Sequence, residues 1–497
     1  MAVATDFTSE VPFGGRLYIN GKAEAGAAEI PLINPATEEA VCRVGAASIE
    51  QIQQAIGAAR NAFDNGEWPR LSKRERTAVL VRMLDYFGNN AERIRRLIVT
   101  ETGCPSNGPI MGAQWDLPLA NTREILDYYL TLPEFEQNPV PVLQRISASG
   151  AFVESLKRYV PVGVVSAITA YNFPFFLNVW KVIPALMTGN TVVLRPSPLT
   201  PLTALTFAEA AEAAGLPAGV LNVIIDGGHE GGMLMTTDPR VDMVTFTGST
   251  HVGELVAAQA AKGIKRVQLE LGGKSAQIYL PDRLDAASGA ALSVCLSHSG
   301  QGCVLGTRVF VPNEAKAAVL EQMAASVANL KLGDPFDPAT QMGPVVSAAQ
   351  RERCERYVAA AVAAGGRVVT GGKRPAHLDR GFFFEPTVLD LPDNRNPAAQ
   401  DEIFGPVVGV IGYDSIDHAV NMANDTIFGL SGYVFGRDLR QAIAVAQRLR
   451  TGTVNVNSGG MSGYASSGGF GASGIGRERG LEGIRVYEHV QVMNISN

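Results

Sequence analysis

The order of apolar and polar positions divides most of the chain into two successive alternations of short apolar runs with amphipathic segments. A helix is predicted from Ile49, because Ser48 and Gln51 form a capping box and apolar residues then recur at helical spacing. In the first alternation, four apolar runs are predicted to be strands: residues 164–168, 191–194, 221–225 and 243–246. Such runs between helices are typical of βαβ units around a buried parallel sheet, an architecture that suits a nucleotide.

A second alternation begins after Leu271, where we place a domain boundary. Its predicted strands are residues 309–310, 368–370, 407–411 and 453–456, and its predicted helices are 315–330, 348–364, 416–423 and 439–450. In residues 141–159 and 487–495, apolar and polar positions alternate as in extended chain. Both segments lie outside the two series of predicted strands and helices, and we interpret them as an assembly arm. The Gly/Ser-rich stretch 458–476 is predicted to be a long loop, and such loops often carry function.

Composition narrows the function classes. The chain has 497 residues, too many for one ordinary core, and its 46% hydrophobic and 18% charged residues are typical of a globular protein. A net charge of -6 without a Lys/Arg-rich run argues against nucleic acid as a partner. No signal peptide or membrane-spanning run is recognisable, so we expect no membrane contact and a cytoplasmic location. The five cysteines lack disulfide or metal-ligand spacing, so we expect no metal, and at least one is a candidate reactive thiol.

Three residues are candidates for chemistry. Cys303 follows Gly300-Gln301-Gly302, whose small side chains leave a thiol approachable, although a single cysteine is more often an inert core residue. Glu270 ends an extended run, where desolvation would favour a general base, although a solvated strand end is an equal alternative. Asn172 could donate its amide to an oxyanion, or it could serve an ordinary turn before Pro174.

Two further positions could bind a cofactor. Gly248 and Ser249 lie between a predicted strand and a predicted helix, where backbone N–H groups could face a pyrophosphate. This segment is not a GxGxxG motif, and by itself it is weak support. Arg195 closes another strand and could reach ribose hydroxyls or a phosphate.

Taken together, these segments resemble the aldehyde dehydrogenase superfamily along nearly the whole chain. The shared motifs, in family order, are Asn34-Pro35-Ala36-Thr37, Asn172-Phe173-Pro174, Gly189-Asn190-Thr191, Phe246-Thr247-Gly248-Ser249, Leu269-Glu270-Leu271-Gly272-Gly273-Lys274, Gly300-Gln301-Gly302-Cys303, Phe384-Glu385-Pro386-Thr387, Glu402-Ile403-Phe404-Gly405-Pro406 and Ser473-Gly474-Ile475-Gly476-Arg477-Glu478. The resemblance implies an α/β protein with a doubly wound, Rossmann-like cofactor domain (1–140 and 160–271), an α/β catalytic domain (272–475) and a β oligomerisation arm (141–159 and 476–497). Copies of the chain would assemble as dimers or tetramers.

The resemblance also implies an NAD(P)-dependent oxidation of an aldehyde to its acid. Cys303 would attack the carbonyl, Asn172 and the Cys303 backbone N–H would hold the oxyanion, and Glu270 would activate water to hydrolyse the thioester. Relatives that transfer the acyl group to coenzyme A generally lack this glutamate, so water is the expected acceptor. The implied cofactor-binding residues are Thr169, Tyr171, Arg195, Gly228, Gly248, Ser249, Gly272, Glu402 and Phe404. The implied substrate-tunnel residues are Phe173, Phe176, Leu177 and Trp180.

Two departures from the family pattern affect specificity. Arg195-Pro196-Ser197-Pro198 replaces Lys-Pro-Ser-Glu, so NAD is expected but an NADP phosphate could be tolerated. Ser466-Ser467-Gly468-Gly469 replaces Pro-Phe-Gly-Gly, which should make the pocket wall smaller or wetter near the reacting carbon. The aromatic tunnel positions favour an apolar aliphatic or aromatic aldehyde, although plain core packing is their alternative interpretation.

Two other functions remain as alternatives. A cysteine hydrolase could use Cys303, but it would need a histidine to activate the thiol, and none of the six histidines lies in a supporting motif. A non-catalytic binding protein of the same family is the other alternative. Retention of Asn172, Glu270 and Cys303 together argues against it.

Overall fold

The computed structural model describes residues 7–457 and 462–496, in which two large sheets pack against helices. The longer α-helices are, in chain order, Ile49–Asp64, Lys73–Asn89, Ala91–Thr102, Leu117–Thr131, Pro174–Met187, Leu202–Ala214, Glu230–Thr237, Thr250–Ala261, Lys316–Val327, Ala348–Ala363, Ile416–Asn424 and Leu439–Ala446. Shorter helices are Pro109–Met111, Ala290–Cys295, Pro397–Gln400 and Gly480–Arg485. The predicted capping box at Ser48 is confirmed. Within the described ranges, no helix combines the length and apolar character needed to cross a membrane.

The first sheet is doubly wound. Its strands, in spatial order, are Lys22–Glu24, Leu17–Ile19, Leu221–Val223, Thr191–Arg195, Val164–Ile168, Met243–Thr247, Arg266–Glu270 and Gly474–Ile475. The five strands from Leu221–Val223 to Arg266–Glu270 are parallel, and the chain winds outward in both directions from Val164–Ile168. The topological switch therefore lies between Val164–Ile168 and Met243–Thr247, where open α/β sheets bind ligands beyond the carboxyl ends of their strands.

The second sheet is also mainly parallel and has its own core. Its strands, in spatial order, are Arg367–Thr370, Thr387–Asp390, Val407–Tyr413, Arg308–Pro312, Ala276–Tyr279, Ser431–Phe435 and Thr453–Val456. Only the edge strand Arg367–Thr370 is antiparallel to its neighbour in this sheet. The α/β fold class inferred from the sequence is confirmed.

A three-stranded antiparallel sheet is separate from both layers. Glu488–Ser496 pairs with Val153–Pro161 along its whole length, and Phe135–Gln137 lies on the other side of Val153–Pro161. Two smaller sheets pair Ala28–Ile33 with Ala40–Ala46 and Phe428–Gly429 with Phe470–Gly471. Of the predicted loop 458–476, residues 458–461 lie outside the described residues.

Candidate active site

Cys303 lies in the loop that follows the short helix Ala290–Cys295 and is partly buried. Its carbonyl oxygen packs against Gly273, where a Cβ atom would come within 2.3 Å of that oxygen, so only glycine fits there. Burial raises the pKa of the Cys303 thiol to about 12, and the carboxylates of Glu402 and Glu270 add to this effect. The thiol is therefore protonated at neutral pH and needs a base to become a nucleophile.

Glu270 ends the strand Arg266–Glu270 and has the environment of a general base. Its side chain is buried, and its Oε1 atom has no hydrogen-bond partner. Burial is the main cause that raises the pKa of Glu270 well above its ordinary value, and the negative charge of Glu478 raises it further. A carboxyl group with a raised pKa can both accept and return a proton near neutral pH.

A buried ion pair, which the sequence analysis did not anticipate, acts on Glu270. The Nζ atom of Lys181 lies 2.6 Å from Oε1 of Glu478 and also donates to Oγ1 of Thr245 at 2.9 Å. Glu478 raises the pKa of Glu270, whereas Lys181 and Arg477 lower it. The sequence signal that could have indicated this ion pair was the position of Glu478 at the end of the family motif Ser473–Glu478.

Asn172 is buried beside the loop that carries Cys303. Its side-chain amide donates to the carbonyl oxygen of Gln301, two residues before Cys303, at 2.9 Å. Its own carbonyl oxygen accepts a hydrogen bond from Nε2 of Gln114 at 2.8 Å. Asn172 is thus held once through its side-chain amide and once through its backbone, and the amide lies near the backbone that leads to the thiol.

The predicted tunnel residues form an aromatic row that starts at Asn172. The ring centroids of Phe173 and Phe176 are 6.3 Å apart, and those of Phe176 and Trp180 are 6.2 Å apart. Leu177 is buried on the same helix, Pro174–Met187. His298 packs its ring against Phe173 at 5.8 Å, and neither of its ring nitrogens has a hydrogen-bond partner. It is therefore not hydrogen-bonded to the Cys303 thiol, as a cysteine hydrolase would require.

Glu402 and Phe404 extend from the second sheet toward the first. Oε1 of Glu402 accepts a hydrogen bond from the Gly273 N–H at 2.9 Å. A Cβ atom on Gly272 would lie 2.6 Å from Oε2 of the same carboxylate, so a larger residue here would displace the Glu402 side chain. Burial raises the pKa of Glu402 to about 6. Phe404 has a φ of 62° and packs its ring at 88° to that of Tyr171, with centroids 5.9 Å apart.

The remaining predicted cofactor residues lie at the carboxyl edge of the first sheet. The Thr169 N–H donates to the Arg195 carbonyl oxygen at 3.1 Å, and Ser249 caps the helix Thr250–Ala261 that follows Gly248. Arg195 forms an ion pair with Asp226 and donates from Nη2 to the carbonyl oxygen of Gly228 at 2.8 Å. The charge of Arg195 is therefore already partly compensated within the protein.

Comparison with known proteins identifies the same family across this site. Residues 22–493 match the aldehyde dehydrogenase family. Geranial dehydrogenase of Castellaniella defragrans is 38% identical over 92% of this chain and 93% of its own length. The crystal structure of betaine aldehyde dehydrogenase from Staphylococcus aureus with NAD+ has a TM-score of 0.93 at 34% identity, over 99% of this chain and 96% of that one. The crystal structure of an aldehyde dehydrogenase from Mycobacterium tuberculosis with NAD+ has a TM-score of 0.91 at 38% identity. That match covers 96% of this chain and 97% of the other.

Proposed function

The chain belongs to the aldehyde dehydrogenase family, and on that premise we propose that it oxidises an aldehyde to a carboxylic acid through a thioester on Cys303. The observation that carries this proposal is the grouping of three residues around the loop that ends at Cys303: the Asn172 amide bonds the Gln301 carbonyl oxygen, and the charge of Glu270 acts on the Cys303 thiol. These groups are the protonated thiol of Cys303, the carboxylate of Glu270 with its unpaired Oε1, and the anchored amide of Asn172. Each has the chemical property that its role needs.

In the proposed reaction, Glu270 accepts the thiol proton and the Cys303 sulfur attacks the aldehyde carbon, giving a thiohemiacetal. The backbone N–H of Cys303 and the side-chain amide of Asn172 stabilise the oxyanion. A bound NAD would supply the acceptor for the hydride that leaves this carbon. Glu270 then releases the thiol proton to solvent and takes a new proton from water, whose oxygen attacks the thioester. The acid departs, and the proton held by Glu270 returns to the Cys303 sulfur and restores the thiol.

We propose that the dinucleotide lies across the topological switch of the first sheet. Gly228, Gly248, Ser249, Thr169 and Arg195 would then hold its adenosine and pyrophosphate part. Glu402 offers a buried carboxylate to ribose hydroxyls, and Gly272 leaves space beside it. Tyr171 and Phe404 would pack near the nicotinamide end. Two similar structures contain NAD+, which favours NAD. The ion pair between Arg195 and Asp226 weakens the attraction for an additional phosphate, although NADP stays a second candidate.

We propose an aldehyde with an apolar or aromatic body as the substrate. The row of Phe173, Phe176 and Trp180 supports this assignment, with Leu177 on the same helix. The similarity to geranial dehydrogenase is consistent with it.

We further propose the division into a cofactor domain, a catalytic domain and an arm, and a homo-oligomer joined through that arm. Apolar side chains that are exposed on the arm support assembly: Val142, Leu143, Ile146, Phe152, Val490, Val492 and Ile495. We propose the cytoplasm as the location, since all five cysteines are free thiols.

The test is dinucleotide reduction, followed by absorbance, with apolar, aromatic and charged aldehydes and with NAD and NADP in parallel. Cys303→Ala should lower turnover below detection, because the nucleophile is lost, while dinucleotide binding measured by calorimetry stays within about twofold of wild type. Cys42→Ala is the matched control and should retain full activity.

Two outcomes would contradict the proposal. Wild-type turnover in Cys303→Ala would exclude the thioester, and the absence of turnover with every aldehyde and both cofactors would remove the support for the oxidation. Ester hydrolysis without any dinucleotide requirement would instead favour a cysteine hydrolase.

A further inference from the structure

An arginine and an aspartate meet at the carboxyl edge of the first sheet. Arg195 is the last residue of its strand, and Asp226 follows the adjacent parallel strand, Leu221–Val223, by three residues. The Arg195 carbonyl oxygen accepts a hydrogen bond from the Thr169 N–H, directly after the strand Val164–Ile168. The arginine therefore lies on the strand next to the topological switch, at the edge where doubly wound sheets bind dinucleotides.

The contacts of the Arg195 guanidinium leave one of its nitrogens for a ligand. Nε forms the ion pair with Oδ1 of Asp226, and Nη2 donates to the Gly228 carbonyl oxygen at 2.8 Å. Among the described residues Nη1 has no hydrogen-bond partner, and it lies 3.7 Å from the position of a Cβ atom on Gly232. The Arg195 side chain is 15% exposed, whereas that of Asp226 is only 6% exposed. A ligand at this edge can therefore contact the arginine, whose charge is already compensated.

Two consecutive glycines allow the helix Glu230–Thr237 to approach this ion pair. A Cβ atom on Gly231 would lie 2.1 Å from Oδ2 of Asp226, and one on Gly232 would lie 3.6 Å from Cζ of Arg195. A larger residue at position 231 would displace the carboxylate. The first turn of the helix thus encloses Asp226 at the place where it neutralises the arginine.

The chain that follows Arg195 carries no charge that could replace Asp226. Residues 196–201 are Pro, Ser, Pro, Leu, Thr and Pro, and Pro198 stands where the family pattern has glutamate. Glu230, at the start of the nearby helix, is exposed, so solvent screens its charge. Asp226 is therefore the buried carboxylate that compensates Arg195.

In dinucleotide-binding βαβ units, the 2′ position of the adenosine ribose is recognised by an acidic residue, which binds the 2′-hydroxyl of NAD, or by an arginine, which accommodates the 2′-phosphate of NADP. Arg195 by itself would favour NADP. We propose that Asp226 is the specificity residue that disfavours NADP, because it neutralises Arg195 and repels a 2′-phosphate. This inference rests on the proposed dinucleotide site and adds the residue that selects between the two cofactors.

The test is the binding of AMP and of adenosine 2′,5′-bisphosphate, which differ only in the 2′-phosphate, measured by calorimetry without an aldehyde. Wild type should bind AMP at least as tightly as the bisphosphate. Asp226→Asn keeps an acceptor for Nε of Arg195 but removes the negative charge. It should raise the affinity for the bisphosphate about tenfold, the effect of one hydrogen bond to a charged group, and change that for AMP by less than about twofold.

Asp238→Asn is the matched control. Asp238 forms an ion pair with Arg240 at the other end of the same helix, and its side chain is also 6% exposed. This substitution removes the same charge and should leave both affinities unchanged. In the double variant Asp226→Asn, Arg195→Gln, the gain in bisphosphate affinity should disappear, because the arginine that binds the phosphate is lost.

An unchanged ratio of the two affinities in Asp226→Asn would overturn the role of Asp226, and so would a gain that persists in the double variant. Circular dichroism checks that each variant is folded. If Asp226→Asn does not fold, Arg195→Gln decides: it should weaken binding of the bisphosphate relative to AMP, because the Asp226 carboxylate is then uncompensated, and an unchanged ratio would overturn the inference.

The readout separates this inference from the proposed oxidation, since neither nucleotide reacts. Failure of wild type to bind both AMP and the bisphosphate would contradict the proposed dinucleotide site itself. Binding of both with the same ratio in wild type and in every folded variant would leave that site in place and remove only the selective role of Asp226.

Discussion

At the carboxyl end of the strand Arg266–Glu270, charged side chains share one buried space. Glu270 has an unpaired carboxylate oxygen, and the ion pair of Lys181 with Glu478 acts on it electrostatically. Coulombic interactions are strong where water is excluded, so removing one of these charges changes the protonation of the others. The pKa of Glu270 therefore depends on the charges of Lys181 and Glu478 as well as on its own burial.

Replacing Glu478 with glutamine tests this coupling. Glu478 raises the pKa of Glu270, whereas Lys181 lowers it, so the loss of the negative charge should lower the pKa of Glu270. The base form would then prevail from a lower pH, and the acidic limb of the pH profile for thioester hydrolysis should shift to lower pH. Glu482→Gln, an exposed site on the helix Gly480–Arg485, should leave the profile unchanged. A shift of the limb to higher pH in Glu478→Gln would disprove the coupling.

At the scale of elements, the ends of helices depend on both local and distant partners. Ser48 and Ser249 cap their own helices within a few residues. The helix Leu202–Ala214 begins after Pro201 without a side-chain cap of its own. Glu101 instead accepts hydrogen bonds from the Leu202 N–H at 2.7 Å and from the N–H and Oγ1 of Thr203 at 3.2 and 2.7 Å.

Glu101→Ala should therefore destabilise the protein. The three lost hydrogen bonds predict a decrease of about 3 kcal/mol in the free energy of unfolding, because each bond contributes about 1 kcal/mol. Urea unfolding followed by circular dichroism measures this change. Glu92→Ala, on the exposed face of the helix Ala91–Thr102, should change it by less than about 0.5 kcal/mol. Equal effects of the two substitutions would contradict the capping role.

At the scale of the whole molecule, the three-stranded antiparallel sheet and the segment between its first two strands, which include the proposed arm, leave apolar surface uncovered. Leu143 is 95% exposed and Val142 is 80% exposed, and both lie between the strands Phe135–Gln137 and Val153–Pro161. A contiguous exposed apolar region of this kind indicates an interface. Its position apart from both large sheets suits contact between copies of the chain.

Leu143→Asp should weaken assembly, because a charge would be buried without a partner. Light scattering after size exclusion should show a shift to a smaller species at the same protein concentration. Ile264→Asp, which changes an equally exposed side chain distant from the arm in sequence, is the control and should leave the mass unchanged. A mass equal to one chain in wild type would remove the basis for this prediction.

The sequence by itself determined the strands and helices whose signal is local. The apolar runs at residues 164–168 and 191–194 predicted the parallel strands Val164–Ile168 and Thr191–Arg195, because strands covered on both faces are continuously apolar. The strands Ala276–Tyr279 and Ser431–Phe435 escaped prediction, since Gln277 and Gly432 interrupt their apolar pattern. Their extended conformation is decided by pairing with neighbouring strands, and a local sequence pattern contains no information on that pairing.

Family motifs in the sequence also indicated Cys303, Glu270 and Asn172, whose chemical roles stay predictions. Only the tertiary structure decided which groups surround them. Lys181 and Glu478 are separated by 297 positions, and Asn172 and the carbonyl oxygen of Gln301 that it bonds are separated by 129. Hydrophobic periodicity depends on neighbours in sequence, whereas desolvation, charge coupling and unpaired donors depend on distances in space. The residue types of the proposed site were therefore predictable from the sequence, but their pKa shifts and hydrogen-bond partners required the fold.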